Sequence, residues 1–340
     1  MKTNYKKYLA ALVSIHLIAF FTILPLVIYL INIGEYLSLE EIRDKQLSSD
    51  LGNSVYGSAL HDTTRDYKMY MFNKLKPEII ALGSSRVMQF SNYMFTKGFY
   101  NLGGAMNSIR EGEELINQIH KVKPKLLILG IDIWWFNENY QPSYNVMPVS
   151  IAPPDPNKRP EFTLGSIKSL AGFILKDKIA ISEIFNLFGE QQHIGISGNK
   201  GDGFGRDGFY HYTRHITGKI EPDDLNFNNT INRIRTGTAR FEYSSEVSNN
   251  HFNNFVRLIN NFSANGTYVV LFFPPFAREI NQEMRELSEK YSYVEKLKHR
   301  LFETGVIFYD FTDDSEIGFD SCEVIDGFHG GEVTYMRILR

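Results

Sequence analysis

Two short segments at opposite ends of this chain carry side chains able to move an acyl group. The apolar run Glu78-Ile79-Ile80-Ala81-Leu82 leads into Gly83-Ser84-Ser85-Arg86, and residues 326–329 read Asp326-Gly327-Phe328-His329. A serine on a small-residue turn after a strand presents its hydroxyl at the mouth of an α/β sheet. A histidine preceded three residues earlier by an aspartate offers a base and the carboxylate that orients it. In that chemistry His329 takes the Ser85 hydroxyl proton. Asp326 holds the imidazole tautomer with Nε2 facing Ser85 and stabilises the imidazolium formed during attack. An acyl-Ser85 intermediate results, and its acyl group passes to water or to a sugar hydroxyl.

Bringing residues 85 and 329 together requires a frame, and the pattern between them alternates strands with helices. Short apolar runs predict strands at 78–82, 98–102, 126–131, 267–273 and 306–309. The run at 126–131 is apolar on both faces, as a central parallel strand is. Ser108-x-x-Glu111 marks a helix start, and Ile109, Leu115, Ile116 and Ile119 form its apolar stripe. A charged amphipathic helix is expected from about Ala277 to Glu303, and a juxtamembrane helix after the capping box Ser38-x-x-Glu41. This alternation predicts an α/β fold with a parallel sheet and helices on both faces. The rhythm is lost between about 140 and 245, which reads as a large insertion. It holds Pro142, Pro148, Pro153, Pro154, Pro156 and Pro160 and one expected helix from about Thr163 to Leu187.

From Leu9 to Ile31 no residue is charged. As a helix that run rises about 34 Å, enough to cross a bilayer, and no small-residue cleavage site follows it. Lys2, Lys6 and Lys7 precede it and Glu35, Glu40 and Glu41 follow, so the positive-inside rule places the N-terminus in the cytoplasm and the rest outside. The expected organisation is an anchor at 1–33, a juxtamembrane segment at 34–76 and an extracytoplasmic domain at 77–340. The 340 residues are 43% hydrophobic and 22% charged with a net charge of −3, ample for a core and unsuited to nucleic acid. The single cysteine, Cys322, excludes an internal disulfide and is expected as a buried small residue. No residue spacing calls for a cofactor or a metal.

These blocks and their order resemble the SGNH hydrolase superfamily, especially its membrane-anchored bacterial DltD-like and AlgJ/AlgX-like members. The likeness covers the core and not the insertion. It implies a flavodoxin-like three-layer α/β/α domain, with Ser85 as nucleophile and Ser84 where many members carry Asp. It further implies Asn101-Leu102-Gly103-Gly104 as the second block, Gly130-Ile131-Asp132 in place of Gly-x-Asn, and Asp326 with His329 as the last. The oxyanion donors implied are the backbone N–H groups of Ser85 and Gly103. Asp132 departs from the pattern, because an Asn donates a hydrogen bond that an ionised Asp does not. Three alternatives stay open: Asp132 is protonated, it serves another role, or the donor lies elsewhere, with Asn137 a candidate. Arg86 is either an anion-binding group or a solvated side chain. For Trp134 and Trp135 the readings are a sugar-stacking wall, core packing or contact with the bilayer interface. The resemblance implies an O-acyltransferase or acyl esterase, acetyl foremost, in the bacterial inner membrane. Its substrate would be a cell-surface or exported polysaccharide and its partner a multi-pass acyltransferase of the MBOAT type. The alternative is an inactive subunit of the same fold for assembly or glycan binding.

Overall fold

The computed structural model describes residues 2–48, 53–140, 155–176, 178–185, 189, 191–219, 224, 226–313 and 317–340. Two compact units divide the chain: Met1–Thr63 with Asp155–Arg206, and Thr64–Pro154 with Asp207–Arg340. The prolines at 142, 148, 153 and 154 lie outside the described residues. The first unit contains α1 (Lys2–Asn32), α2 (Leu39–Leu47), and, after a long excursion of the chain, α5 (Leu164–Leu175), α6 (Ile181–Phe185), α7 (Gly195–Asn199) and β4 (Asp202–Phe204). The second holds α3 (Thr64–Leu75), β1 (Ile79–Gly83), β2 (Phe99–Gly103), α4 (Ile109–Val122) and β3 (Leu126–Gly130), then β5 (Tyr210–Tyr212), α8 (Thr213–Ile216), α9 (Asn228–Thr236), α10 (Asn249–Ala264), β6 (Tyr268–Phe273), α11 (Arg278–Glu286), α12 (Tyr293–Glu303), β7 (Ile307–Asp310) and α13 (Glu332–Ile338).

In the first unit α1 is long and apolar enough to cross a membrane and runs through Pro25 without a break. Where it ends, Tyr29, Leu30, Ile33 and Tyr36 enter a core with Leu170, Ile179, Ile184 and Ile196. Glu35 sits in this core at 3% exposure and stays satisfied as an acceptor: Ser58 Oγ (2.6 Å), Ala59 N (3.1 Å) and Ile196 N (2.7 Å) all donate to it. The capping box of α2 forms in both directions, Glu41 N–H to Ser38 Oγ and Ser38 N–H to Glu41 Oε2. The single helix expected from Thr163 to Leu187 is instead the pair α5 and α6, with Leu187 outside the described residues.

The second unit is built on a five-stranded parallel sheet ordered β2-β1-β3-β6-β7. Its strands fall within one or two residues of the apolar runs that announce them. Three steps move the chain from β2 towards β7, and each carries α-helices: α4, α9 with α10, and α11 with α12. Right-handed connections put those helices on one face. The one reverse step, β1 to β2, has only the 3-10 turns Ser85–Val87 and Asn92–Met94. On the opposite face the helical layer therefore shrinks to α13, whose Tyr335 and Ile338 join Phe90 and Phe95 against Ala81, Ile128 and Phe272. The long helix expected at 277–303 is two helices, α11 and α12. Tyr291 pins the break between them, buried to 3% with its hydroxyl donating to Ile234 O (2.8 Å) and Phe241 O (2.7 Å).

Candidate active site

Ser85, Asp132 and the 274–276 segment all leave the carboxyl ends of their strands, the edge at which open α/β sheets bind ligands. Gly83 makes the exit from β1 feasible. Its φ is +155°, and a Cβ there would stand 2.7 Å from Gly130 O and 2.5 Å from the Val87 side chain. Ser84 caps the 3-10 turn by accepting the Arg86 N–H (3.3 Å), which leaves Ser85 as the turn's first residue, partly exposed. Across from it, the 324–330 loop is closed by the bridge between Val324 and Gly330 and by Ile325 N–H to His329 O (2.8 Å).

The two segments meet in a relay. Ser85 Oγ lies 2.9 Å from His329 Nε2, and His329 Nδ1 lies 2.7 Å from Asp326 Oδ2. With Nδ1 donating to the carboxylate, Nε2 is free to accept the Ser85 proton. The second oxygen of Asp326 accepts the backbone N–H groups of Phe328 and His329, both at 2.9 Å, so one carboxylate shapes the turn and orients the ring. Burial alone would raise the Asp326 pKa. The His329 charge, its hydrogen bond and the two backbone donors outweigh it and hold the group below the ordinary carboxylate value.

Arg86 fits neither role expected of it. Its side chain is 1% exposed, so it is neither solvated nor presented to a substrate. The guanidinium is spent inside the protein: Nε donates to Phe328 O (2.8 Å), Nη1 to Asp132 Oδ1 (3.0 Å), and Nη2 to Pro274 O (2.7 Å) and Pro275 O (2.9 Å). The Phe276 ring lies against it with the centroid 4.3 Å from Cζ. Arg86 thus ties the residue after Ser85 to the residue before His329, and both to the ends of β3 and β6. The rigid planar fork of arginine suits such a junction.

The oxyanion side departs from expectation at three positions. Gly103 N–H is already taken by Asn101 Oδ1 at 2.6 Å, and the glycine is needed for room, because a Cβ would meet Met88 N at 2.7 Å. Asp132 is an acceptor, its Oδ1 paired with Arg86, while Oδ2 has no partner among the described residues. Asn137 is fully buried and gives its amide to Glu242 O (2.5 Å), accepting Asn139 N–H (2.9 Å) in return. What is left is the Ser85 N–H, for which the described residues provide no acceptor. It opens a three-residue 3-10 turn in place of an α-helix, so the macrodipole adds little there.

Trp134 and Trp135 are 2% and 3% exposed, which makes them packing residues and not a sugar-stacking wall. Trp134 stands edge-on to Phe328 with centroids 6.4 Å apart and so braces the base loop. Cys322 is exposed, contrary to the buried position expected. Beyond Asn101, which belongs to the second block, Tyr335 and Lys68 escape a motif reading. Asn101 holds Val87 O (2.9 Å) and Phe90 O (2.8 Å) as well as Gly103, Tyr335 donates its hydroxyl to Arg86 O, and Lys68 Nζ donates to Asn101 O (2.9 Å). Burial lowers the Lys68 pKa to about 7. The signal for Asn101 was a lone polar residue inside an otherwise apolar strand.

Among the described residues no cluster of three His, Cys, Asp or Glu can hold a metal ion. In comparison with known proteins, the chain matches no family model and no curated protein.

Proposed function

We propose that this chain is a membrane-anchored serine acyl-transfer enzyme of the SGNH type, working outside the cytoplasm on a cell-surface or exported polysaccharide. The observation that carries this reading is the Ser85–His329–Asp326 relay, 2.9 Å and 2.7 Å between successive partners, at the carboxyl edge of a parallel sheet. Ser85 Oγ attacks the acyl carbonyl as its proton passes to His329 Nε2. The tetrahedral oxyanion receives the Ser85 N–H, and collapse expels the leaving alcohol, to which His329 returns the proton. A sugar hydroxyl or water then attacks the acyl-Ser85 ester with His329 again as base. Acetyl is the leading acyl group, and a membrane acyltransferase of the MBOAT type is the proposed donor partner. Both follow from the resemblance set out above.

A second reading has its own support. With Gly103, Asp132 and Asn137 all engaged elsewhere, a non-catalytic subunit for assembly or glycan binding keeps the same fold. A fluorophosphonate probe separates the two. Labelling of the full chain that disappears in Ser85→Ala is the expected result, and a folded chain that stays unlabelled overturns the enzyme reading. Acetate release from acetylated glycans with and without an acceptor sugar then distinguishes hydrolysis from transfer.

A further inference from the structure

The two helices packed on the end of α1 leave large apolar side chains exposed. On α5 and α6, Leu164 is 81% exposed, Leu175 85%, Ile181 61% and Phe185 64%. Leu164, Lys168 and Leu175 share one side of α5, being four and eleven residues apart, whereas the buried Ser166 and Leu170 point to the other. That second side packs, with Ile179 and Ile184, on Tyr29, Leu30, Ile33 and Tyr36. The helices are thus fixed to α1 by one face and present an apolar face outward, an arrangement a water-facing surface does not reward.

What covers that face follows from α1 itself. Its described apolar side chains at 5–17 and 20–24 are exposed, those from Pro25 to Ile28 are half-buried, and Tyr29 and Leu30 are buried. Leu9 to Ile28 rises about 30 Å, the thickness of a bilayer's hydrocarbon core. The outer edge of the hydrocarbon then falls where α5 and α6 begin to clothe α1. Lys168, Lys176 and Lys178 are all exposed beside the apolar side chains. Long lysine stems can lie along the apolar face while their ammonium groups reach lipid phosphates.

We infer that α5 and α6 form an interfacial foot: Leu164, Leu175, Ile181 and Phe185 enter the boundary between acyl chains and headgroups beside α1, and the three lysines bind anionic lipid headgroups. The foot rests on the reading of α1 as a membrane span. It gives the first unit a second membrane contact, which stops that unit from pivoting about a single helix.

The test uses the full chain with Cys322→Ser in nanodiscs of phosphatidylcholine and phosphatidylglycerol. Single cysteines carrying an environment-sensitive fluorophore are placed at Leu175→Cys or Ile181→Cys, with Leu17→Cys in α1 and Phe302→Cys, 80% exposed in the second unit, as references. Labels at 175 and 181 are expected to be quenched by spin-labelled lipid and spared by iodide, as at 17 and opposite to 302. Iodide quenching at 175 and 181 equal to that at 302, with 17 still shielded, overturns the foot and leaves the span intact. Iodide quenching at 17 overturns the span and the foot together. Replacing Lys168, Lys176 and Lys178 by Gln should abolish any deeper insertion seen with phosphatidylglycerol, and unchanged insertion overturns the headgroup contact.

Discussion

The base side and the oxyanion side of the site are built from neighbouring loops, yet their polar groups are committed differently. On the base side, the side chains are linked in line, one to the next: Asp326 to His329, His329 to Ser85. On the oxyanion side the donors are turned inward, Gly103 N–H to Asn101, Arg86 to Asp132 and two prolyl carbonyls, Asn137 to Glu242. The difference teaches that an assembled relay and an assembled oxyanion hole are separate achievements of a sequence. The first needs two short turns to meet, and the second needs buried donors left deliberately unspent. Each missing oxyanion donor typically costs about 3–4 kcal/mol in the transition state, so the proposed enzyme is expected to be slow unless substrate brings further donors.

The largest effects test the base side. Ser85→Ala should abolish turnover, on the order of a million-fold where the uncatalysed background permits the measurement. Asp326→Asn should leave the fold and both bonds from the backbone N–H groups in place yet cost about four orders of magnitude in kcat, because the ring loses its tautomeric control. Ester hydrolysis by purified variants measures both. If Asp326→Asn loses less than tenfold, the relay is structural and the contrast between the two sides disappears.

Next in size is the latch between them. Removing Arg86 leaves Asp132 as a buried charge without a counterion, for which about 3–5 kcal/mol of stability is the usual loss. Arg86→Met should therefore shift the denaturation midpoint strongly, and Arg86→Met with Asp132→Leu should recover most of it. Failure of the double variant to recover means that the hydrogen bonds to Phe328, Pro274 and Pro275 outweigh the ion pair. A smaller effect belongs to Asn101→Ala, which frees the Gly103 N–H but strands the Val87 and Phe90 carbonyls at about 1–3 kcal/mol. Stability is expected to fall while kcat does not rise. A rise in kcat reveals Gly103 as a donor held in reserve and erases the distinction drawn above.

Much of this was legible before any coordinates. The strands stand out because both faces of a parallel sheet are apolar, and Ser85 with His329 and Asp326 stands out because chemistry restricts the residue types. The roles of Arg86 and Gly103 were not legible, since each depends on contacts across the sheet. An arginine after a serine turn looks solvated until Asp132, one strand over, is placed beside it. A glycine at a strand end looks like an oxyanion donor until Asn101 Oδ1 is seen to take its N–H. The break within 277–303 was hidden for a similar reason: it is bound by residues far off in the chain, Tyr291 to Ile234 O and Phe241 O and Ser244 N–H to Lys290 O.

The mildest expected effect bears on the charge of the base side. Asp326 is held below the ordinary carboxylate pKa, burial being outweighed by His329 and by the two N–H donors. Because its folded pKa lies under its unfolded one, about 3.9 for a free Asp, its contribution to stability is complete above that value and fades as pH falls through the folded one. The side chain is a quarter exposed, so solvent screening keeps the contribution modest. Midpoints of chemical denaturation recorded from neutrality down into the acid range should fall less steeply for Asp326→Asn than for the native chain. Superimposable profiles mean that Asp326 holds no more charge in the fold than in the unfolded chain. The preference for a carboxylate there would then lie in tautomer control alone, and the base side would be no better committed electrostatically than the oxyanion side.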